Sequence, residues 1–212
     1  MFKAGYVAIV GRANAGKSSL VNALVGEKVA IISSKPQTTR DNILGIVNGD
    51  NYQIVLVDTP GIHHSKNVLD KQMMKNVRSA VNGVDLILYL IDGTASPDEE
   101  EREYIAHLQL PTKVVKTKID LKNIKDFDCD IEISSRTGQN IDKLKELILQ
   151  NLPEYDKPHY IFDKDYYTDK SVKFLIAEEI REKALNILRQ EVPHGISRRP
   201  SGLRKTIQLC NS

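Results

Sequence analysis

The residues best suited to chemistry in this chain of 212 residues form a short glycine-rich segment near the N-terminus. Residues Gly11–Ser18 read Gly-Arg-Ala-Asn-Ala-Gly-Lys-Ser and match the complete P-loop pattern. In such a loop, backbone amides and the N-terminus of the following helix surround phosphate groups. Lys17 would reach the β- and γ-phosphates of a nucleotide, and the Ser18 hydroxyl would ligate Mg²⁺. The predicted phosphate-binding residues are Gly11, Arg12, Ala13, Asn14, Ala15, Gly16, Lys17 and Ser18.

A second motif, Asp58-Thr59-Pro60-Gly61, follows a run of apolar residues. On its own such a sequence is a common turn. After a P-loop, however, its carboxylate is expected to support the Mg²⁺ shell, and the amide of its glycine to meet the γ-phosphate. We therefore assign Asp58, Thr59, Pro60 and Gly61, with Ile62 next to them, to the nucleotide site.

Two further motifs indicate that the base is guanine. Residues Thr117-Lys118-Ile119-Asp120 occupy the place where GTPases usually have Asn-Lys-x-Asp. The Asp120 carboxylate would accept hydrogen bonds from the N1 and N2 edge of guanine, a donor pair that adenine lacks. Thr117 retains a hydroxyl but lacks the amide donor of asparagine, so we expect a weaker tether for the base loop. Ser134-Ser135-Arg136 is a weaker match to the motif whose amide meets the guanine O6.

Each motif follows a segment that reads as a buried strand. Short apolar runs at Tyr6–Val10, Ile54–Val57, Leu86–Ile91, Lys113–Lys116 and Asp130–Ser134 predict strands. Predicted helices at Ser18–Val25, Val68–Val81, after Pro97 and at Asn140–Leu149 alternate with them. We interpret the acidic residues Asp98–Glu103 as a solvated helix start. The alternation predicts an α/β fold with a mostly parallel sheet and helices on both faces, with ligands at the carboxyl ends of the strands.

The composition fits a globular protein of the cytoplasm. The net charge is +2, and the two cysteines give neither a disulfide framework nor a metal-binding spacing. No secretory signal or membrane-spanning run is visible. An amphipathic helix with apolar residues from Val172 to Leu188 follows an aromatic-rich linker that we expect to pack on another part of the protein.

Beyond the four motifs, the chain resembles one GTPase family in particular, the Era family of bacterial ribosome-assembly GTPases. The resemblance rests on Pro36-Gln37-Thr38-Thr39-Arg40-Asp41, on Asp58–His63, and on three downstream stretches within residues 167–194. It implies binding of GTP and GDP, hydrolysis of GTP, and small-subunit ribosomal RNA and the 30S subunit as partners. It also implies a monomer, part of which associates peripherally with the cell membrane.

The resemblance also implies roles for residues outside the P-loop. Thr38 or Thr39 would complete the Mg²⁺ shell in the GTP state, and the sequence leaves open which one; Lys17, Thr39 and Gly61 are the expected catalytic residues. Ile62 stands where Ras-type proteins carry a water-orienting glutamine, so we expect slow intrinsic hydrolysis. Asn14 stands where related GTPases use asparagine to coordinate K⁺. Ala13 replaces the usual proline, so the loop is expected to be less rigid.

The resemblance divides the chain into residues 1–152 as the GTPase domain, 153–170 as a linker and 171–194 as the start of a KH-like RNA-binding domain. The GXXG loop of KH domains is absent, and residues 195–212 are a basic tail unlike the family. We expect either a truncated or frame-shifted product, in which the helix at 171–190 exposes an apolar face, or a variant whose tail binds RNA by charge.

Two alternatives to a ribosome-assembly GTPase remain. The first is a guanine-nucleotide-binding module with little turnover and no specific RNA binding. The second is another GTPase of the same class, such as one acting in tRNA modification, although the sequence at 167–194 argues against it. An ATP-using P-loop kinase fits poorly, because it leaves Lys118 and Asp120 without a role.

Overall fold

The computed structural model describes residues 1–32, 42–59 and 83–187. Within these ranges the chain forms seven strands and four helices, labelled here in chain order. The strands are β1 (Phe2–Gly11), β2 (Ile43–Gly49), β3 (Tyr52–Asp58), β4 (Leu86–Asp92), β5 (Thr112–Thr117), β6 (Ile131–Glu132) and β7 (Glu154–Tyr155). The helices are α1 (Lys17–Val25), α2 (Glu99–Ala106), α3 (Ile141–Gln150) and α4 (Val172–Ile187).

The strands make one sheet in the order β2-β3-β1-β4-β5-β6. Strands β3, β1, β4, β5 and β6 are parallel to their neighbours in this order, whereas β2 is antiparallel to β3. The short β7 pairs antiparallel with the start of β1. The carboxyl ends of the parallel strands therefore lie at one edge of the sheet, where the P-loop and the motifs at Asp58, Thr117 and Ser134 are found.

Both faces of the sheet are covered by helices. Along β1 the side chains of Val7 and Ile9 join a core cluster with residues of α1 and α3. Ala8 and Val10 belong instead to a second cluster, which includes Tyr104 and Ile105 around α2. Because β1 is buried on both faces, its sequence is almost continuously apolar, as is typical of a central parallel strand. The predicted fold class is confirmed.

Most predicted elements are present with small shifts of their ends. The segment predicted as strand Asp130–Ser134 contains a strand of two residues, Ile131–Glu132. Strands β2 and β7 were not predicted. The helix predicted at Val68–Val81 lies outside the described residues.

The linker packs against the edge of the sheet that β2 forms. The Ile46 amide donates to the Tyr167 carbonyl at 2.9 Å, and Gly45 forms an antiparallel bridge with Thr168. Near the start of the linker, the ring of Tyr160 lies 4.6 Å from that of Phe2. The expectation that the linker packs on another part of the protein is thus met.

Helix α4 presents an apolar stripe to solvent. Val172, Ile176 and Ile180 are exposed by 71%, 53% and 47%, and they are spaced four residues apart along one side of the helix. This agrees with the expected exposed apolar face. No helix among the described residues is both long enough and apolar enough to cross a membrane.

Candidate nucleotide site

The P-loop connects β1 to α1 through backbone conformations that suit its sequence. Gly11 passes so close to β4 that a Cβ atom there would lie 2.4 Å from the carbonyl oxygen of Leu90. Gly16 has a φ of 92° and precedes α1 with no side-chain cap on the helix. The first amides of α1 are therefore not capped by this residue, and a helix end of this kind attracts anions.

Lys17 lies folded into the P-loop. Its Nζ donates to the carbonyl oxygens of Gly11 at 3.0 Å and Arg12 at 2.8 Å, and the residue is only 7% exposed. Burial lowers the pKa of Lys17 to about 8, although the charge of Asp58 acts in the opposite direction. The loop thus holds a desolvated ammonium group where the motif predicts phosphate.

Ser18 and Asp58 meet beside Lys17. The Ser18 hydroxyl donates to Asp58 Oδ2 at 2.7 Å, and Asp58 is fully buried at the end of β3. The next residue, Thr59, fixes this strand end by donating its hydroxyl to the Ile9 carbonyl at 2.7 Å. A hydroxyl and a carboxylate brought together in this way are oxygen ligands of the type that Mg²⁺ prefers, so the donor set fits this ion.

The base loop is tied to the P-loop by Thr117. Its buried hydroxyl lies 2.8 Å from the carbonyl oxygen of Ala15 and 3.2 Å from that of Ile91. We expected threonine to weaken this tether. The hydroxyl does bridge the P-loop and β4, but one O–H proton serves two carbonyl oxygens, whereas an amide would bring two N–H protons.

Lys118 and Asp92 form an ion pair under the base loop. The Lys118 Nζ lies 2.6 Å from Asp92 Oδ2, and Lys118 has a φ of 59°. Burial acts to raise the pKa of Asp92, but hydrogen bonds from Lys118 and Thr94 outweigh it and lower the pKa below its usual range. The carboxylate at the end of β4 therefore stays charged and holds the lysine stem in place.

Asp120 faces the loop that follows β6. One carboxylate oxygen accepts the Ser134 hydroxyl at 2.6 Å, and the other lies 3.7 Å from Arg136 Nη1. Ser134 is completely buried, and its hydroxyl also accepts the amide of Thr137 at 3.1 Å. The two base motifs are thus joined directly by a hydrogen bond.

The structure brings four predicted motifs together through these contacts. The described candidates are Gly11–Ser18, Asp58, Thr59, Thr117–Asp120, Ser134 and Ser135. Thr38, Thr39, Pro60, Gly61 and Ile62 lie outside the described residues.

One set of contacts at the site was not found from the sequence. Asp98, the N-cap of α2, binds the Arg12 guanidinium, and Glu101 is buried with 6% exposure. Asp98 is exposed at the start of the helix, as the interpretation of Asp98–Glu103 as a solvated helix start predicts, but that interpretation is wrong for Glu101. The spacing of Asp98 and Glu101 is that of a capping pair, but Asp98 lies 86 positions from Arg12, so its ion pair with Arg12, like that of Glu101, requires the fold.

Comparison with known proteins identifies what this chain is similar to. A family model described as 50S ribosome-binding GTPase matches residues 6–118. The GTPase Era of Clostridium botulinum is 43% identical over 213 residues, which cover 93% of this chain and 71% of that protein. The Era protein of Clostridium acetobutylicum is 44% identical over 217 residues, with the same shares covered.

Solved structures give the same result. A crystal structure of Era in complex with MgGDPNP and nucleotides 1506–1542 of 16S ribosomal RNA has a TM-score of 0.81 and 37% identity, covering 91% of this chain and 70% of that one. A variant of Aquifex aeolicus Era bound to GDP and AlF₄⁻ has a TM-score of 0.80, also at 37% identity and with the same coverage.

Proposed function

The chain belongs to the Era family of GTPases, and we propose on that premise that it hydrolyses GTP at the site described above and acts on small-subunit ribosomal RNA. The observation that carries the enzymatic part is the bond from Thr117 to Ala15. It joins the loop that would read the base to the loop that would hold the phosphates. One nucleotide can therefore be recognised at both ends by a single rigid frame.

At the phosphate end, the amides of the P-loop and of the first turn of α1 hold the anionic groups. Lys17 exchanges its bonds with the Gly11 and Arg12 carbonyls for the β- and γ-phosphate oxygens. Ser18 and Asp58 are the residues that would hold Mg²⁺, which Era binds together with GDPNP. When bound, this ion neutralises charge that develops on the phosphates during hydrolysis.

At the base end, Asp120 accepts from N1 and N2 of guanine while Ser134 keeps one of its oxygens in place. The Lys118 stem lies along the base, and Ser135 contributes to the loop whose amide meets O6. Because a carboxylate covered by the base is left unpaired by a base that cannot donate to it, this arrangement favours guanine over adenine.

The proposal also includes four residues on the γ-phosphate side of the site, which are Thr38, Thr39, Gly61 and Ile62. One of the two threonines ligates Mg²⁺ in the GTP state, and the Gly61 amide contacts the γ-phosphate. Ile62 offers no hydrogen-bonding group to the attacking water. We therefore expect slow turnover without a partner.

A potassium ion at Asn14 is part of the same proposal. Asn14 lies in the P-loop and adopts a φ of 63°, in the left-handed region that asparagine tolerates better than most residues. K⁺ there would supply positive charge to the transition state, as an arginine finger does elsewhere. Replacing KCl by NaCl at constant ionic strength should slow phosphate release, and equal rates in the two salts would refute this role.

Phosphate release from GTP and from ATP tests the central activity. We expect release from GTP with Mg²⁺, none above background from ATP, and loss of activity in the Asp120→Ala and Ser18→Ala variants. Tight binding of GTP without phosphate release, with or without K⁺, would favour the alternative of a binding module with little turnover.

The RNA partner is proposed from the relative solved with a segment of 16S ribosomal RNA. Residues 1–152 would be the GTPase domain, 153–170 the linker and 171–194 the start of a KH-like unit. Fluorescence anisotropy with that segment, GDPNP or GDP, and a salt series is the test. Sequence-dependent binding favoured by GDPNP supports the proposal. Binding that ignores sequence and disappears with salt would mean attraction by charge alone.

We further propose that the protein is a monomer in the cytoplasm and that part of it associates with the membrane surface. Sedimentation velocity would report the oligomeric state. Flotation with vesicles containing anionic lipid would report the membrane-bound fraction, and recovery of all the protein in the unbound fraction would remove that element of the proposal.

A further inference from the structure

The guanidinium of Arg12 is held by two carboxylates of helix α2. Its Nη2 donates to Asp98 Oδ2 at 2.5 Å, and its Nε lies 3.6 Å from Glu101 Oε2. Asp98 meanwhile uses Oδ1 to accept the Glu101 amide at 2.9 Å and so caps the helix. A single carboxylate thus connects the start of α2 to the P-loop.

The other carboxylate is anchored in the core of the protein. The Glu101 side chain is 4% exposed and accepts the Tyr89 hydroxyl at 3.1 Å. Tyr89 lies on β4 and is 1% exposed, and burial together with the charge of Glu101 raises its pKa. Tyr89 therefore remains a proton donor, and loss of the Arg12 charge would leave Glu101 buried without that counter-charge.

The main chain of Arg12 links these side-chain contacts to Lys17, the lysine that we propose to bind phosphate. The Arg12 carbonyl accepts from Lys17 Nζ at 2.8 Å and from the Ala15 amide at 3.2 Å. The neighbouring Ala13 has no ring to restrict its φ, so the side-chain contacts of Arg12 are an important restraint on this part of the loop.

We propose that Arg12 is a positioning residue, whose contacts with Asp98 and Glu101 hold the P-loop backbone in the conformation that presents Lys17 to the phosphates. This inference rests on the proposed function. It assigns a role to the Arg12 side chain, where the P-loop motif assigns one only to its backbone. Because the restraint acts before nucleotide arrives, it serves GDP and GTP equally. A direct contact between Arg12 and the γ-phosphate would require the guanidinium to leave both carboxylates.

The test compares Arg12→Gln, Glu101→Gln and the double variant by titration with fluorescent GDP and a fluorescent GTP analogue. Asp98→Asn is a second probe, since asparagine keeps the helix cap but lacks the charge. Arg102→Gln is the control, because Arg102 is exposed on the same helix. Circular dichroism and thermal unfolding of each variant verify that it is folded.

We expect Arg12→Gln to weaken binding of both nucleotides by about three- to tenfold, a modest loss because Arg12 and Asp98 are partly exposed. The rate at saturating GTP should stay within about twofold, as expected when an interaction acts equally on ground and transition states. The double variant should bind no more weakly than Arg12→Gln, whereas Arg102→Gln should match the wild type.

Three results would overturn the inference. They are unchanged affinity in both Arg12→Gln and Asp98→Asn, additive losses in the double variant, or a loss confined to GTP with a large fall in the saturated rate. The last result would identify a direct phosphate contact. If the wild-type protein itself failed to bind guanine nucleotide, the proposed function would fail, and that outcome is distinct from all three.

Discussion

Thr117 stands where GTPases usually have asparagine, and this difference changes the hydrogen bonding that ties the base loop to the P-loop. Its hydroxyl serves the Ala15 and Ile91 carbonyls, at 2.8 Å and 3.2 Å, with one proton. Threonine therefore keeps the connection between base loop and P-loop that we first expected to be weakened by loss of the amide. The bond to Ala15 is the shorter of the two, and we expect it to support nucleotide binding because it joins the base loop to the P-loop.

Replacing Thr117 by valine should reduce affinity for GDP and GTP by about five- to tenfold, since it removes a buried hydrogen bond while keeping the shape of the side chain. Thr112→Val is a matched control, because Thr112 lies on the same strand and its hydroxyl bonds a carbonyl outside the site, that of Leu110. Titration with fluorescent nucleotide measures the effect. Equal losses in the two variants would contradict a specific tether.

Lys17 makes nucleotide binding depend on protons. With a pKa of about 8 in the free protein, the side chain is neutral in about half of the molecules at pH 8. Phosphates favour the ammonium form, so binding at pH 8 should take up about half a proton. Calorimetry of GDP binding in buffers of different ionisation enthalpy measures this uptake, and an enthalpy independent of buffer would contradict it.

The same residue affects stability with a definite sign. Between about pH 8 and the usual lysine value near 10.4, the folded free protein binds fewer protons at Lys17 than the unfolded chain does. The contribution of Lys17 to the free energy of unfolding therefore rises with pH across this window. Saturating nucleotide, which charges the lysine, should remove that rise.

At the scale of elements, the sequence predicts strands that are buried on both faces and fails for those that depend on a partner. Strands β1, β3 and β4 each contain an apolar run, and β1 and β3 lead directly into motif residues. Strand β2 was missed because Gly45 and Gly49 interrupt its pattern, and because it is stabilised by antiparallel pairing with β3. The segment Asp130–Ser134 was predicted as a strand and contains β6, which is shorter than predicted, whereas the two residues of β7 are too few to form a recognisable pattern.

The contacts of the site also fall into those that the sequence predicts and those that it does not. Lys17, Ser18, Asp58 and Asp120 were predictable because they belong to contiguous motifs at strand ends. The contacts of Arg12 with α2 were not predictable, because nothing in the local sequence shows that Asp98 and Glu101 lie beside the P-loop. Contacts between distant segments follow from strand order, which the sequence pattern does not specify.

The linker is fixed to the sheet by one buried side chain of β3. Gln53 Oε1 accepts the amides of Ile161 at 2.7 Å and Phe162 at 2.8 Å. Its Nε2 donates to the Phe162 carbonyl at 2.8 Å and to Asn48 at 2.7 Å. All the polar positions of this amide are therefore used, and four bonds depend on one residue with no exposed surface.

Replacing Gln53 by methionine should lower the free energy of unfolding by about 2–4 kcal/mol, because two linker amides lose their buried acceptor. Denaturant unfolding measures this change. Proteolysis should also become faster in the linker, where Lys164 is a trypsin site. Gln109→Met, at an exposed position, is the control. Unchanged proteolysis of Gln53→Met would mean that the linker is held mainly by its backbone pairing with β2.

Considered as a whole, the described part of the molecule joins helix α4 and the segment before it to the nucleotide-binding part through two carboxylates. Glu182 accepts the Ile32 amide at 3.2 Å and pairs with Lys28 at 3.0 Å. Asp169, just before the helix, accepts the Leu44 amide at 3.1 Å. The unit that we propose to begin the RNA-binding part is thus bonded to the GTPase part through Glu182, and the end of the linker is bonded to it through Asp169.

Glu182 offers a way to loosen this junction without unfolding the protein. Its ion pair is partly exposed, and exposed pairs contribute about 0–1 kcal/mol, so Glu182→Ala should hardly change global unfolding. Hydrogen exchange in α4 should nevertheless become several-fold faster, because helix ends and docked helices open locally below the global free energy. Glu179→Ala is the control, since Glu179 pairs only along the helix surface with Lys183. If both variants accelerated exchange equally, the effect would lie in the helix itself, and Glu182 would not hold the junction.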